Sequence, residues 1–203
     1  MEYAVTILLA YLVGSSSMTW YLSKLKNVNM RAGGSGNLGA SNAVALMGWK
    51  AGILVGIHDI GKSILAVLVA QMVFPHIIHI GAVAGVASVL GHIFPFYLKF
   101  KGGKGFASYL GMTIALNWKL ALVILLIVGL ILLITDYIVI GTVTTVLTVP
   151  TYMGIVSHSW VLAAILAVAT VVILYKHREN YVRIYNGTEL GFRGVSRGDH
   201  RVK

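Results

Sequence analysis

The sequence predicts an all-helical bundle that spans a membrane several times, and three observations support this fold class. Hydrophobic residues make up 58% of the 203 residues and charged residues only 11%, whereas a soluble domain carries about 25% charged residues. The apolar residues form runs long enough for helical spans of about 20 residues. Most cations lie in the short segments between these runs, as they do in the cytoplasmic loops of membrane proteins. We expect a single domain over residues 1–203, because the chain is short.

The apolar runs, taken in order, are the helices that we expect. Five of them reach or approach the length of a membrane span. They are 3–22, 50–73, 80–98, 119–135 and 138–156. A sixth run, 160–175, is slightly short, and the run 105–116 is shorter still. The first run lacks a basic leading segment and an evident cleavage site, so we expect it to be retained rather than removed as a signal peptide.

Three basic segments separate these runs and predict their orientation. Cations concentrate on the cytoplasmic side of membrane proteins and face anionic lipids there. We therefore expect all three segments, including a tail that starts at about residue 176, to be cytoplasmic. Their cations are Lys24, Lys26 and Arg31, then Lys99, Lys101 and Lys104, and in the tail Lys176, Arg178, Arg183, Arg193, Arg197, Arg201 and Lys203.

The number of spans follows from these positions. If the chain is inside at Lys104, the runs 119–135, 138–156 and 160–175 alone would leave the basic tail outside. Counting 105–116 as a further crossing returns the tail to the cytoplasm. The sequence therefore predicts seven spans, with the N-terminus outside and the C-terminus inside. The run 105–116 is the shortest of them, about 18 Å long at 1.5 Å per residue.

A glycine-rich segment after the first run is the first candidate for chemistry. Residues 33–42 read GGSGNLGASN and precede an apolar helical pattern. Glycines let backbone N–H groups converge on an anion, and a helix N-terminus attracts negative charge. The segment matches neither a Walker A motif nor a dinucleotide fingerprint. It indicates either a phosphate site or a flexible connecting loop.

A second segment, 91–105, encloses a lysine between glycines. It reads GHIFPFYLKFKGGKG. A lysine among glycines can meet a phosphate as a point charge beside backbone donors. Lys104 has a glycine on each side, whereas Lys99 and Lys101 are better explained as cytoplasmic anchors of the neighbouring span.

Two further groups of polar residues have both a structural and a functional interpretation. His177, Asn180 and Arg183 fall near one helix face, although alone they are typical of an ordinary basic tail. Asp59 and Lys62 are neighbours inside the run 50–73, where charges are costly and usually paired. They form either an ion pair that locks helices together or a group that supports the phosphate loops from beneath.

Several other classes of function are not predicted. The formal net charge of +10 does not indicate nucleic-acid binding, because the cations follow the positive-inside pattern and no basic helix carries interleaved aromatic residues. His76 and His79 show no metal-ligand spacing with carboxylates. No GxSxG motif or serine–histidine arrangement is evident. We expect no metal ion and no cofactor.

These segments together resemble the bacterial acyl-phosphate:glycerol-3-phosphate acyltransferases, the PlsY family. The matching motifs are GSGNxGA[ST]N at 34–42, GHxFPxxxxFKGGKG at 91–105 and HRxNxxRxxxGxE at 177–189. The Asp-x-x-Lys pair at 59–62 also fits the family's second helix. The resemblance extends over nearly the whole chain and implies a seven-span enzyme of the cell membrane whose site faces the cytoplasm.

The resemblance implies transfer of a fatty acyl group from acyl phosphate to the 1-hydroxyl of glycerol 3-phosphate, giving lysophosphatidic acid for phospholipid synthesis. The donor is already activated, so positioning and electrostatic stabilisation suffice, and the departing phosphate, His92 or His177 would take the hydroxyl proton. Membrane lipids and an upstream enzyme that makes acyl phosphate are the implied partners. The implied catalytic residues are Lys104, His177, Asn180 and His92. The implied substrate ligands are Gly34, Ser35, Gly36, Asn37, Gly39, Asn42, Gly102, Gly103, Gly105, Thr142, Arg183 and Glu189.

The chain departs from the family pattern at two positions that bear on the acceptor. Ala45 and Asp136 each stand where the family usually has an arginine, and Val139 replaces a serine. The missing cations weaken the case for a second phosphate. Two alternatives therefore stay open: a non-catalytic membrane paralogue that binds a phospholipid precursor or a partner enzyme, and an acyltransferase with a different acceptor.

Overall fold

The computed structural model describes residues 1–196, and all the regular structure in that range is helical. The basic-tail residues Arg197, Arg201 and Lys203 lie outside the described residues. The α-helices are α1 (Glu2–Ser15), α2 (Met18–Leu25), α3 (Ala40–Met47), α4 (Trp49–Val73), α5 (Ile80–Ile93), α6 (Phe106–Leu116), α7 (Trp118–Thr135), α8 (Ile138–Val156), α9 (Trp160–Lys176), α10 (Arg178–Tyr185) and α11 (Phe192–Ser196), with a 3-10 turn at Phe96–Leu98.

Five segments of the described chain are long and apolar enough to span a membrane. They are Glu2–Leu25, Trp49–Val73, Ile80–Leu98, Trp118–Thr135 and Ile138–Val156. Helices α9 and α10 form a sixth candidate that bends by 45°, and α6 is apolar but has only 11 residues. The predicted fold class, an all-helical membrane bundle, is confirmed.

The first span is broken into two helices, and its first half packs closely on α5. Ser17 caps α2 by accepting a hydrogen bond from the Trp20 N–H. A Cβ at Gly14 would collide with the backbone of Ser88, and one at Gly91 would collide with the backbone of Tyr11. These two glycines therefore allow the backbones of α1 and α5 to touch, as small residues commonly do between membrane helices.

A central cluster of buried side chains fixes the helices that carry the candidate site. Tyr109 on α6 is fully buried, and its hydroxyl lies 3.4 Å from Thr170 Oγ1 on α9. Thr170 Oγ1 in turn donates to the carbonyl of Val146 on α8, at 2.8 Å. Buried polar groups are stable when bonded in this way, so α6, α8 and α9 are held in a fixed relation below Lys104 and His177.

Polar contacts gather the basic segments at one end of the bundle, which we call the basic end. Three long-range hydrogen bonds define it. Arg31 Nη2 donates to the carbonyl of Lys101 (2.6 Å), Lys104 Nζ donates to Asn180 Oδ1, and the Arg193 N–H donates to Asp136 Oδ1 (2.9 Å). The loops that join α2 to α3, α5 to α6 and α7 to α8 therefore lie beside α10 and α11.

The remaining turns meet at the opposite end. The Tyr3 hydroxyl donates to the carbonyl of Ile78 (2.7 Å), Ser159 Oγ lies 2.9 Å from His79 Nε2, and the Asn117 amide contacts the Met153 sulfur. Helix α6 therefore runs from the basic end, after Lys104, to the opposite end at Asn117. The helices α1, α4, α5, α6, α7, α8 and α9 each join the two ends, as many passages as the sequence predicts spans. The number of bilayer crossings and their orientation stay predictions.

Candidate active site

The loop between α2 and α3 contains the first glycine loop, residues 33–39, and is braced from within by Asn42. This buried side chain accepts a hydrogen bond from the Ser35 N–H (2.9 Å) and donates to the carbonyls of Met30 (3.0 Å) and Asn37 (2.9 Å). A Cβ at Gly34, whose φ is +57°, would collide with Asn42 Oδ1. The Asn42 amide therefore supports the loop from within, and its role as a substrate ligand stays a prediction.

Other groups of the first glycine loop face outward. Ser35 is exposed and Asn37 half-buried, and neither side chain forms a hydrogen bond among the described residues. Gly36 has a φ of +65°, which glycine adopts without strain. Gly39 precedes α3, so the first N–H groups of that helix, which lack helical partners, lie at the end of the loop. A hydroxyl, an amide and a helix N-terminus together suit an anion.

The second glycine loop, residues 102–105, folds back on the end of α5. The Gly102 N–H donates to the carbonyl of Ile93 (2.9 Å), and the Gly103 N–H donates to the carbonyl of His92 (3.1 Å). Side chains at either glycine would collide with His92. These two N–H groups are bonded to backbone carbonyls, and the two glycines allow close packing on His92. Their role as substrate ligands stays a prediction.

Lys104 lies in the same loop and reaches the third segment, where its Nζ donates to Asn180 Oδ1. Gly105, with a φ of +96°, immediately precedes α6. The pKa of Lys104 is lowered to about 8, chiefly by burial and then by repulsion from Arg183, while attraction to Glu189 opposes the shift. Two cations are thus held near each other, and an anion between them would relieve their repulsion.

Glu189 holds the polar face of α10 in place. It accepts hydrogen bonds from Asn180 Nδ2 and, at 2.6 Å, from Arg183 Nε. The chain turns back at Gly187, where the Thr188 N–H donates to the carbonyl of Arg183 at 2.8 Å. The structure therefore joins Lys104, Asn180, Arg183 and Glu189 in one hydrogen-bonded row, with Glu189 as its support.

His177, at the bend between α9 and α10, has a defined tautomer. Its Nδ1 lies 2.8 Å from the carbonyl of Ile173, which can only accept, so we assign the proton to Nδ1 and a lone pair to Nε2. The pKa of His177 is lowered to about 4, mainly by burial; the bond to Ile173 opposes this shift, and the charge of Lys104 adds to it. His177 is therefore a neutral hydrogen-bond acceptor at neutral pH.

Two other implied site residues make their hydrogen bonds away from this row. His92 is buried beneath the second glycine loop, with its Nδ1 2.9 Å from Lys62 Nζ. Thr142 is also buried, and its hydroxyl donates to the carbonyl of Ile138 within α8, at 3.0 Å. The described residues contain no group of three or more histidine or acidic side chains that could hold a metal ion.

Asp136, one of the two departures from the family pattern, binds the C-terminal segment, residues 187–196. Its carbonyl accepts from the Phe192 N–H (2.8 Å), its carboxylate accepts from the Arg193 N–H (2.9 Å), and a Cβ at Gly191 would collide with that carboxylate. Sequence reasoning missed this contact because the partners are 57 residues apart. Ala45, the other departure, lies half-buried on α3.

The fold and the site define a helical membrane protein that gathers cations and glycine loops at one end, an arrangement suited to phosphate-bearing substrates. The family model described as glycerol-3-phosphate acyltransferase matches residues 4–187. This chain belongs to the glycerol-3-phosphate acyltransferase family.

Named relatives and solved structures agree with this membership. The chain is 33% identical to a glycerol-3-phosphate acyltransferase of Coxiella burnetii over 93% of this chain and 97% of that protein. It is 34% identical to one of Prochlorococcus marinus, over 90% and 94%. It is also similar to the crystal structure of PlsY, an integral membrane glycerol 3-phosphate acyltransferase, in its glycerol 3-phosphate form, with a TM-score of 0.89 and 32% identity over 96% of this chain and 98% of that one. The lysophosphatidic acid form gives a TM-score of 0.85.

Proposed function

We propose that this protein transfers a fatty acyl group from acyl phosphate to the 1-hydroxyl of glycerol 3-phosphate, releasing phosphate and lysophosphatidic acid. The observation that carries the proposal is the row of Lys104, Asn180, Arg183 and Glu189 at the basic end, the end of the bundle that also contains the first glycine loop. Family membership makes glycerol 3-phosphate the first acceptor to test. We further propose that the basic end faces the cytoplasm at the inner membrane, where an upstream enzyme supplies the donor.

In this proposal Lys104 binds the phosphate of the donor. Its ammonium is partly buried and stands next to Arg183, so an anion there gains more than it would at an exposed lysine. Ser35, Asn37 and the start of α3 complete the anion site from the first glycine loop. As the acceptor hydroxyl attacks the acyl carbon and the bond to phosphate breaks, Lys104 offsets the charge that collects on the departing phosphate.

The proton of the attacking hydroxyl needs an acceptor, and two groups compete. His177 presents a lone pair at Nε2, but burial lowers the pKa of His177 to about 4. The departing group is inorganic phosphate, which gains negative charge as its bond to the acyl carbon breaks and is therefore the stronger base. We therefore assign the proton to the phosphate, and we assign to His177 Nε2 a hydrogen bond accepted from the other hydroxyl of glycerol 3-phosphate, which orients the acceptor.

The acyl tail belongs between the helices, and one apolar groove begins beside the row. It has a volume of about 470 Å³ and opens between α8, α9 and α10. Its lining includes Val139, Leu174 and Tyr181, and Tyr181 follows Asn180 in the chain. A tail in this groove would leave the acyl carbonyl at the basic end.

The decisive experiment compares two lysines of one loop. We predict that Lys104→Ala lowers acyl transfer from acyl phosphate to glycerol 3-phosphate by at least about tenfold, since a charge-assisted hydrogen bond contributes about 1.5–3 kcal/mol. Lys99→Ala, an exposed neighbour, should stay near wild type. Purified proteins are assayed at equal amounts in detergent or lipid.

The outcome also separates the alternatives. Equal loss in both variants would mean that the loop acts through membrane insertion, and the assignment of Lys104 would be wrong. No transfer by the wild type to glycerol 3-phosphate, but transfer to another acceptor in a panel, would indicate a different acyltransferase. No transfer to any acceptor would favour the non-catalytic paralogue.

A further inference from the structure

A buried cluster of Asp59, Lys62 and His92 lies directly beneath the second glycine loop. Lys62 Nζ lies 2.7 Å from the carbonyl of Ser16, 2.8 Å from Asp59 Oδ1 and 2.9 Å from His92 Nδ1. Lys62, Asp59 and His92 are all buried. The carbonyl of Ser16 is accessible because the first span is interrupted between α1 and α2. The cluster therefore joins the first span, α4 and α5 at a single ammonium.

The bonding of this ammonium determines the tautomer of His92. An ammonium group has three protons to donate and no lone pair, and Lys62 has three acceptors around it. His92 Nδ1 must then accept, which leaves the imidazole proton on Nε2. A proton on Nδ1 could reach Asp59 Oδ1 only at 3.3 Å. It would also face the ammonium and leave one ammonium proton without a partner.

The opposite nitrogen of the same ring faces the second glycine loop. A Cβ at Gly103 would collide with His92 Nε2, and the Gly103 N–H is bonded to the carbonyl of His92 at 3.1 Å. Nε2 forms no hydrogen bond within residues 1–196. The Gly103 backbone packs against Nε2, one residue from Lys104, and a side chain at Gly103 would block this nitrogen.

We infer that His92 donates a hydrogen bond from Nε2 to the phosphate of the bound donor, and that Lys62, supported by Asp59, is the positioning residue that fixes this tautomer. The inference rests on the proposed function. It replaces the role of proton acceptor that the motif allowed for His92, because a protonated Nε2 cannot accept. The inference also gives a reason for the burial of Lys62 inside the span, because an ion pair that only held helices together would not need the His92 ring beneath Gly103.

The tautomer can be measured in the unmodified protein. The full chain, labelled with ¹⁵N-histidine and placed in lipid nanodiscs, gives ring nitrogen resonances for its 7 histidines, and His92 is assigned by the signals lost in His92→Gln. We expect the wild-type ring to be protonated at Nε2. We expect Lys62→Met to move the proton to Nδ1, facing Asp59. A wild-type ring protonated at Nδ1 would overturn the inference, whatever the enzyme's activity.

A matched pair of substitutions then tests the contact with the donor. In His92→Gln the amide nitrogen can occupy the place of Nε2, whereas in His92→Asn it reaches only the place of Nδ1. We expect His92→Gln to keep the KM for acyl phosphate within about threefold. We expect His92→Asn to raise it by at least about tenfold, the effect of losing one hydrogen bond to a charged group. The KM for glycerol 3-phosphate should be nearly unchanged in both.

Failure of the His92 inference and failure of the proposed function give different results. If the two variants change the KM for acyl phosphate equally while their thermal unfolding matches the wild type, His92 does not bind the donor. If the wild type transfers no acyl group from acyl phosphate, the proposed function fails first. The inference then depends on whether inorganic phosphate shifts the His92 Nε2 resonance, and no shift would overturn it.

Discussion

The charge on Lys104 sets the alkaline limit of activity that we expect. Burial, with repulsion from Arg183, lowers the pKa of Lys104 to about 8, so the ammonium is present below this pH and is lost as the pH rises through it. Because kcat/KM reports the ionisation of the free enzyme, we predict that kcat/KM for acyl phosphate falls about tenfold for each pH unit above about 8. Initial rates at saturating glycerol 3-phosphate measure this profile.

Two conservative variants test whether Lys104 causes this alkaline fall in kcat/KM. Lys104→Arg carries a guanidinium that does not titrate in this range, so its residual activity should lack the alkaline fall. Lys101→Arg, at an exposed position of the same loop, should retain it. If kcat/KM of Lys104→Arg fell at alkaline pH as it does in the wild type, another group would control the pH dependence.

Some residues could be identified from the sequence and others could not. The spacing of Asn180 and Arg183 along a helix and the glycines around Lys104 are local patterns, and the structure does join these three residues. The supporting role of Asn42 and the bonded N–H groups of Gly102 and Gly103 depend on where neighbouring carbonyls lie in space. A motif shows which residues recur in a loop but not which of their donors are already occupied.

At the scale of elements, apolar runs predicted helices well but did not predict interruptions within them. The run 3–22 is two helices, because Ser17 caps the second one. The run 80–98 leaves the helix at Ile93, whose carbonyl then receives the Gly102 N–H. Both interruptions supply backbone carbonyls to the site region, and mean hydropathy does not respond to such breaks.

The C-terminal segment is the element that the sequence explained least, and it is fastened at both of its ends. Glu189 bonds Asn180 and Arg183 near its start. Further on, Asp136 accepts from the Arg193 N–H, and the Phe192 ring packs edge-on against Trp49 at 5.8 Å. The segment therefore crosses the basic end from α10 to the start of α4. Asp136 belongs to this fastening, so its difference from the family arginine has a structural reason.

This role makes the effect of restoring the arginine predictable. We expect Asp136→Arg to lower kcat/KM by about tenfold or more. The substitution removes the charged acceptor of the Arg193 N–H, a hydrogen bond that contributes about 1.5–3 kcal/mol. It also places a second cation beside Arg193. Asp136→Asn keeps an oxygen for the Arg193 N–H and should stay within about threefold of wild type. Steady-state kinetics, with limited proteolysis of the C-terminal segment, measures both effects.

The opposite result has a clear meaning. If Asp136→Arg lowers the KM for glycerol 3-phosphate without exposing the segment to protease, position 136 contacts the acceptor phosphate. Ala45→Arg supplies the comparison on the other departure, since Ala45 is not bonded to the C-terminal segment. A lower KM for glycerol 3-phosphate in Ala45→Arg alone would place the acceptor beside α3.

At the scale of the whole molecule, α6 decides the topology. It has 11 residues, about 17 Å at 1.5 Å per residue, which is short of a hydrocarbon core of about 30 Å. It nevertheless joins the loop of Lys104 at the basic end to Asn117 at the opposite end. Membrane helices shorter than the bilayer are accommodated by local thinning, and the polar turn at Asn117 is where such thinning would occur.

Single cysteines can test this topology, because the native chain contains no cysteine. We predict that Lys26→Cys and Tyr185→Cys, both exposed at the basic end, are protected from an impermeant thiol reagent in intact cells and react after permeabilisation. Ser157→Cys and Trp118→Cys, exposed at the opposite end, should react in intact cells. Trp118 is the informative position, since it directly follows α6. Protection of both Trp118→Cys and Ser157→Cys together with labelling of Tyr185→Cys would mean that α6 does not cross, because α7, α8 and α9 alone would carry the chain to the outside. Labelling of both Lys26→Cys and Tyr185→Cys in intact cells would place the Lys104–Asn180 row outside, where a cytoplasmic acyl phosphate could not reach it.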